Sequence, residues 1–235
     1  NIDQNGIVDT NRASDWSARS FATPGGPNDV LGTEDADGDG IPDANEQAGT
    51  TFAGLPLYNW GARPDQPDIF EHVDYMNNSS VSNDPALVPE LEALNRVVAA
   101  FDNQNIAIHI DVGDLHSADD APSQFNLSGK SHEVDYSSTI SISGGGSTPS
   151  IYEYKYSRSS MSMSRRGIFH YAVFGDNQPD STSSGVAEIL GNDMLVTLGS
   201  GGDTSTMLEE PRELQLLVNY QASTFVRALG RNLGL

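Results

Sequence analysis

The sequence predicts an α/β domain, because a strand, an amphipathic helix and a second strand follow one another between residues 68 and 112. Asp68-Ile-Phe-Glu-His-Val-Asp-Tyr-Met76 reads as a strand. Pro85 to Phe101 carries Leu87, Leu91, Leu94, Val97, Val98 and Phe101 on one helical face. Ile106-Ala-Ile-His-Ile-Asp-Val112 is the second strand, and the three together suggest a crossover unit in an α/β layer.

The remaining elements follow in order. Residues 1 to 50 are polar, rich in Asp, Asn and Gly, and read as a metal-ordered loop region. The stretch from Ser137 to Ser164 runs through Gly144-Gly-Gly-Ser147 into Ile151-Tyr-Glu-Tyr-Lys-Tyr156. Its alternation around a glycine-rich turn is either a hairpin or an exposed excursion. Gly167-Ile-Phe-His-Tyr-Ala-Val-Phe174 is a buried strand, and Asp193-Met-Leu-Val-Thr-Leu198 another. Pro211 opens the last helix at a first-turn position, where its missing N–H costs nothing. Leu214, Leu217, Val218, Phe225 and Leu229 give that helix a core-facing stripe.

Composition restricts the function classes. Lys plus Arg number 12 against 33 Asp plus Glu, a net charge of −21, so the field repels phosphate and argues against nucleic-acid or anionic-membrane partners. It suits a protein that binds multivalent cations, or one that lives in salty water. With no cysteine, neither a disulfide framework nor a thiolate metal site can form. No apolar run approaches the roughly 18 residues of a membrane span. The chain starts at Asn1 without a methionine or a signal peptide and reads as a mature or excised piece. Leu235 closes an apolar helical run with no cap behind it, so the polypeptide is expected to continue. Secretion or cell-surface display is the expected location.

The densest chemical signal is Asp35-Ala-Asp-Gly-Asp-Gly-Ile-Pro-Asp-Ala-Asn-Glu46. An EF-hand-type loop places oxygen ligands at positions 1, 3, 5, 7, 9 and 12 with glycine at 6. Those positions are Asp35, Asp37, Asp39, the Ile41 carbonyl, Asp43 and Glu46, with Gly40 at the turn. Calcium needs six to eight hard oxygens, and short carboxylates two residues apart can converge on one ion. A merely solvated acidic turn would not explain Gly40, Ile41 and Glu46 together. The same template laid on the N-terminus gives Asn1, Asp3, Asn5, Gly6, Ile7, Asp9 and Arg12. This degenerate copy binds calcium weakly, shares ligands with its neighbours, or binds nothing. The Asp-rich run resembles thrombospondin type 3 repeats and the short calcium repeats of exported bacterial proteins.

The final segment, Thr224-Phe-Val-Arg-Ala-Leu-Gly-Arg-Asn-Leu-Gly-Leu235, resembles the zinc helix of metzincin-type metallopeptidases, whose pattern is H-E-x-x-H-x-x-G-x-x-H. Further stretches look like exported microbial zinc peptidases that carry calcium repeats. They are Gly61-Ala-Arg-Pro64 before Asp68-Ile-Phe-Glu71, Val73-Asp-Tyr-Met76, Ile108-His-Ile-Asp-Val-Gly113, Phe169-His-Tyr-Ala-Val-Phe174, and Ser184-Gly-Val-Ala-Glu-Ile189 with Gly191-Asn-Asp193. The resemblance spans Asp35 to Leu235. It implies a metzincin-like mixed sheet with a backing helix and a central C-terminal helix. Residues 1–50 would form a calcium-binding repeat segment and 51–235 a metallopeptidase-like domain lacking its C-terminal part.

The chemistry departs from that family at its centre. The histidine positions hold Arg227 and Arg231, and the general-base glutamate position holds Ala228. A guanidinium has no lone pair for a metal, and alanine cannot take a proton. Hydrolysis at these positions is excluded, and zinc is not expected there. Arg227 and Arg231 neutralise carboxylates, with Glu188 a candidate partner, or they line an anion pocket in the former cleft. His72, His109, His116, His132 and His170 contain no helical i,i+4 pair. His72 with Asp74 and His109 with Asp111 share strand faces, where a metal role competes with ordinary buried histidines and a further calcium site. The expected function is a calcium-binding, catalytically inactive module with a structural, adhesive or self-assembling role. The alternative is a zinc endopeptidase whose site is altered or completed elsewhere. A carbohydrate- or surface-binding module is suggested only by calcium and by tyrosines 152, 154 and 156, read as exposed. Self-association or an extracellular protein partner is expected. Asn77, Asn78 and Asn126 stand in N-x-Ser/Thr patterns.

Overall fold

The computed structural model describes residues 34–77, 87–117, 124–180, 182–198 and 211–235. Its centre is strand β1, Asp68–Asn77. A six-stranded sheet forms in the order β2-β1-β4-β6-β5. The other strands are β2 (Ala107–Asp111), β3 (Glu133–Asp135), β4 (Phe169–Phe174), β5 (Gly185–Ala187) and β6 (Asp193–Val196). β2 runs parallel to the first half of β1, and β3 takes over the same edge from Tyr75 onward. β4 and β6 continue the sheet in parallel, and only β5 is antiparallel, at the far edge. The mixed α/β class expected from the sequence is therefore present.

Alternation along β1 sorts its side chains onto two faces. Ile69, Val73 and Tyr75 face two helices, α1 (Leu91–Asp102) and α2 (Pro211–Leu233). Ala93, Leu94, Val97 and Phe101 of α1 join Leu217, Val218, Phe225 and Leu229 of α2 in that core. Phe70 and Met76 point the other way, into a layer of loops and short helical turns that includes Ile41, Leu57, Ile140, Ile151 and Tyr154. Burial on both faces explains why β4 reads as a nearly continuous apolar run, broken only by His170, and why β1 carries apolar residues on both faces around its buried Asp68, Glu71, His72 and Asp74.

Helix α1 starts at Leu91 rather than Pro85, because Pro89 disfavours helical backbone at the residue before it and cannot donate its own N–H. Its open N-terminus is closed from outside. The Gln221 side chain of α2 accepts from the Glu90 N–H at 2.8 Å and donates to the Val88 carbonyl at 2.8 Å. Gln221 is fully buried, so Gln221→Leu leaves both backbone groups without this partner. A loss of about 1–3 kcal/mol is expected in denaturant unfolding.

The tyrosine-rich stretch is neither a hairpin nor a free excursion. A helical turn at Ile151–Glu153 runs into a wider π-type turn at Tyr154–Arg158. Ile151, Tyr154 and Lys155 are buried at helical spacing, which leaves Tyr152 and Tyr156 outside. The expectation that Tyr154 is exposed is thus wrong. Lys155 anchors the turn to β6, its ammonium 2.5 Å from Asp193 Oδ1 and 3.2 Å from Asn192 Oδ1. No helix among the described residues is long and apolar enough to cross a membrane.

Candidate metal centre

The acidic loop folds by repeated side-chain to backbone hydrogen bonds, the usual behaviour of aspartate in tight turns. Asp35 accepts from Gly38 N on Oδ1 (2.8 Å) and from Gly40 N on Oδ2 (3.0 Å). Asp37 Oδ1 accepts from Asp39 N (3.2 Å), and Asp39 Oδ1 from Ile41 N (2.7 Å). Gly40 sits at φ +91°, a conformation costly for any side chain and needed for the sharp turn. Ile41 then plugs into the core, 1% exposed, and a short 3₁₀ turn over Asp43–Asn45 delivers Glu46 inward. Asp43 does not join the carboxylate clusters. Its Oδ1 accepts from Ala36 N at 2.8 Å and closes the loop on itself.

A residue outside the loop completes the arrangement. Asp68, at the start of β1, donates its N–H to Asp39 Oδ2 at 2.7 Å. Its own carboxylate accepts from Arg63 N (2.9 Å) and lies 2.5 Å from His109 Nε2. The His109 ring leaves no room for a side chain at residue 61. A Cβ on Gly61 would meet it at 2.5 Å. Oxygens of Asp39, Glu46 and Asp68 lie within 4.8 Å of one another, as do those of Asp35, Asp37 and Asp39, so Asp39 belongs to both groups.

This cluster buries carboxylate oxygens that no hydrogen-bond donor reaches. Glu46 is completely buried, and neither of its carboxylate oxygens has a hydrogen-bond partner, nor does Asp37 Oδ2. The nearby Arg63 guanidinium is spent on the Tyr58 and Ala62 carbonyls. Burial, followed by the Asp39 charge and the neighbouring Asp68 carboxyl, pushes Glu46 up to about 10. Burial likewise lifts Asp39 to about 8 and Asp37 to about 6, in each case against backbone hydrogen bonds that favour the charged form. Carboxylates so placed must be protonated or must share a positive ion. The donor set is all oxygen, the preference of hard divalent ions such as calcium.

A second group joins His72, Asp111 and His132, all buried. Here the positive charge is already present. Arg165 Nη1 lies 2.5 Å from Asp111 Oδ2 and 3.0 Å from His72 Nδ1. Of the two strand-face pairs expected from the sequence, His72 with Asp74 holds together, Nε2 to Oδ1 at 3.0 Å. His109 and Asp111 part, His109 going to Asp68 and Asp111 to Arg165. His116 meets the Pro89 carbonyl at 2.9 Å, and His170 is buried beside Glu71 on the helix face.

At the helix positions of the family pattern, Arg227 and Arg231 are exposed and Ala228 is buried against the sheet. Arg227 donates to Ser184 Oγ at 2.8 Å. Glu188 is not its partner, because that carboxylate takes the Tyr152 hydroxyl. Among the described residues no group of metal-ligating side chains includes α2. The loop copy at Asn1, Asp3, Asn5, Ile7 and Asp9 lies outside the described residues.

Sequence reasoning missed Asp68. It follows Glu46 by 22 positions, beyond any loop template, and reads locally as the first residue of a strand. The one available signal was an acid at the entry of a strand that carries Glu71, His72 and Asp74 further in. Comparison with family models, with curated proteins and with solved structures finds no match to the chain.

Proposed function

We propose that this chain is an exported, calcium-ordered domain of metallopeptidase-like architecture that does not hydrolyse peptides and serves as a structural, adhesive or self-assembling module. The observation that carries the reading is Glu46, a fully buried carboxylate with no donor, facing Asp39 and Asp68. Calcium seated on Asp35, Asp37, Asp39, Glu46 and Asp68 neutralises these acids and ties the acidic loop to the first strand of the sheet. That is the role a disulfide would play in a chain that had cysteine.

The metzincin-like reading is supported by a mixed sheet with one antiparallel edge strand and by two helices packed on a single face. In that arrangement α1 is the backing helix and α2 the central one. The absence of hydrolysis follows from chemistry at α2, where Arg227, Ala228 and Arg231 supply neither a lone pair for zinc nor a base for water. Calcium, the acidic surface and the lack of thiols suit an extracellular setting, where calcium is abundant enough for a modest site.

Calorimetry on the full chain is expected to show calcium uptake. Glu46→Gln and Asp68→Asn should each weaken it by on the order of a hundredfold. The zinc-incubated protein is expected to leave casein uncut. Stoichiometric zinc on α2 together with peptide hydrolysis would overturn the reading.

A further inference from the structure

We propose that His72, His132 and Asp111 form a second metal site, for a divalent ion of the zinc class, and that Arg165 occupies it in the metal-free protein. The argument uses residues distinct from the calcium cluster and does not depend on calcium binding there.

The tautomers can be deduced from the partners. Arg165 Nη1 can only donate, so His72 Nδ1 beside it (3.0 Å) carries a lone pair and Nε2 carries the hydrogen, directed at Asp74 Oδ1. The Val73 carbonyl can only accept, so His132 Nδ1 (3.0 Å) carries the hydrogen and Nε2 the lone pair, which in the metal-free protein accepts from the Ser128 hydroxyl at 3.0 Å and would have to be released to a metal. The lone pairs of His72 Nδ1 and His132 Nε2 and a carboxylate oxygen of Asp111 thus converge. In each ring the opposite nitrogen is anchored to a carboxylate or a backbone carbonyl, the support that metal-ligating imidazoles ordinarily have. The support extends a step further, since the Tyr171 hydroxyl donates to Asp74 Oδ2 at 2.7 Å.

Charge points the same way. Asp74 and Asp111 are both fully buried, and Asp74 only accepts hydrogen bonds, from His72 and Tyr171. Two buried carboxylates therefore face one guanidinium, and a divalent ion would balance them. The guanidinium is also imperfectly housed. Nη1 alone makes both contacts, while Nη2 is buried without an acceptor. Arg165 belongs to the turn before β4 and lies along the Trp60 and Phe169 rings, 5.1 and 4.2 Å from their centroids, which gives it an apolar track to retreat along.

Two imidazoles and one carboxylate favour zinc, cobalt or nickel over calcium. With every ligand at 0–1% exposure the ion would be structural, pinning β1, β2 and the segment entering β3 to one another.

The test uses the calcium-saturated full chain with cobalt(II) as probe. One equivalent beyond calcium is expected, with visible absorption bands, and X-ray absorption of the zinc-loaded wild type should show two imidazole ligands. Arg165→Met should bind roughly tenfold more tightly or better, since no occupant competes. His132→Asn should lose the ion and keep calcium. The proposal is overturned by a wild type that takes up no cobalt, even if Arg165→Met does, because the guanidinium is then a permanent occupant. Oxygen-only coordination, or uptake unchanged in a folded His132→Asn, overturns it equally. If His132→Asn fails to fold, the X-ray absorption spectrum of the unaltered protein decides alone.

Discussion

Removing calcium with a chelator at pH 7 is expected to lower the melting temperature of the full chain by about 8–16 °C. An ion present at a thousandfold its Kd stabilises the folded state by about 4 kcal/mol, and each kcal/mol moves the midpoint by about 2–4 °C in a domain of this size. The pH dependence of the calcium-free protein sharpens the expectation. Asp37, Asp39 and Glu46 are all raised, to about 6, 8 and 10, mainly by burial. A carboxyl whose folded pKa is raised contributes fully below its unfolded value near 4, and the contribution is lost as pH rises through the folded value. Calcium-free stability should therefore fall from pH 4 upward, first through Asp37 near 6 and then through Asp39 near 8, with Glu46 extending the loss toward 10. Asp39 alone, a buried carboxyl, accounts for on the order of 4 kcal/mol between pH 4 and pH 7. Calcium binds the deprotonated acids, so it should remove this slope and release protons on binding. The difference between wild type and Glu46→Gln, both calcium-free, isolates the site from the other carboxyls. A melting temperature indifferent to chelation would contradict the calcium reading.

What the sequence disclosed depended on the range of the interaction. β1, β2, β4 and β6 were legible because both faces of the sheet are covered, so apolar residues fall on both faces of each strand, although β1 also buries Asp68, Glu71, His72 and Asp74. The stripe on α2 was legible because one helical face carries it. The acidic loop was legible because its turn chemistry is local, each aspartate bonding to backbone two to five residues away. Asp68 was hidden because its partners Glu46 and His109 come from distant segments. Tyr152, Tyr154 and Tyr156 misled by their alternation. Lys155 has a carboxylate at Asp193 to reach and Tyr154 a carbonyl at Asp135, so two adjacent side chains turn inward and only helical spacing allows that. The open N-terminus of α1 is closed by Gln221, a cap supplied from the other helix and invisible in the local sequence.

Glu71→Leu is expected to stabilise the protein at pH 7 by on the order of 3 kcal/mol, an increase of about 6–12 °C. Glu71 stands on the helix face of β1, between Ile69 and Val73, with Ile110 and His170 as its neighbours in register. It is wholly buried, and neither carboxylate oxygen has a hydrogen-bond partner. Burial pushes its pKa well up, with the Lys155 charge opposing in part and Asp193 adding to the rise. His170 is itself held down to about 3 by burial and so offers no positive charge at neutral pH. The sign is again that of a raised acid. Glu71 is tolerated below about pH 4.5 as the neutral form, and its cost grows as pH rises toward the folded value. In saturating calcium, the gain from Glu71→Leu should therefore be large at pH 8 and should shrink toward pH 4. Glu71→Gln, which removes the charge but keeps a polar head without a partner, should recover only part of it. Leucine is close in volume, so a repacking penalty should stay small, and Lys155 keeps Asp193 as its partner. If Glu71→Leu is instead less stable across this range, the carboxylate has a favourable partner in solution, and the helix face of the sheet is then a polar site rather than a core.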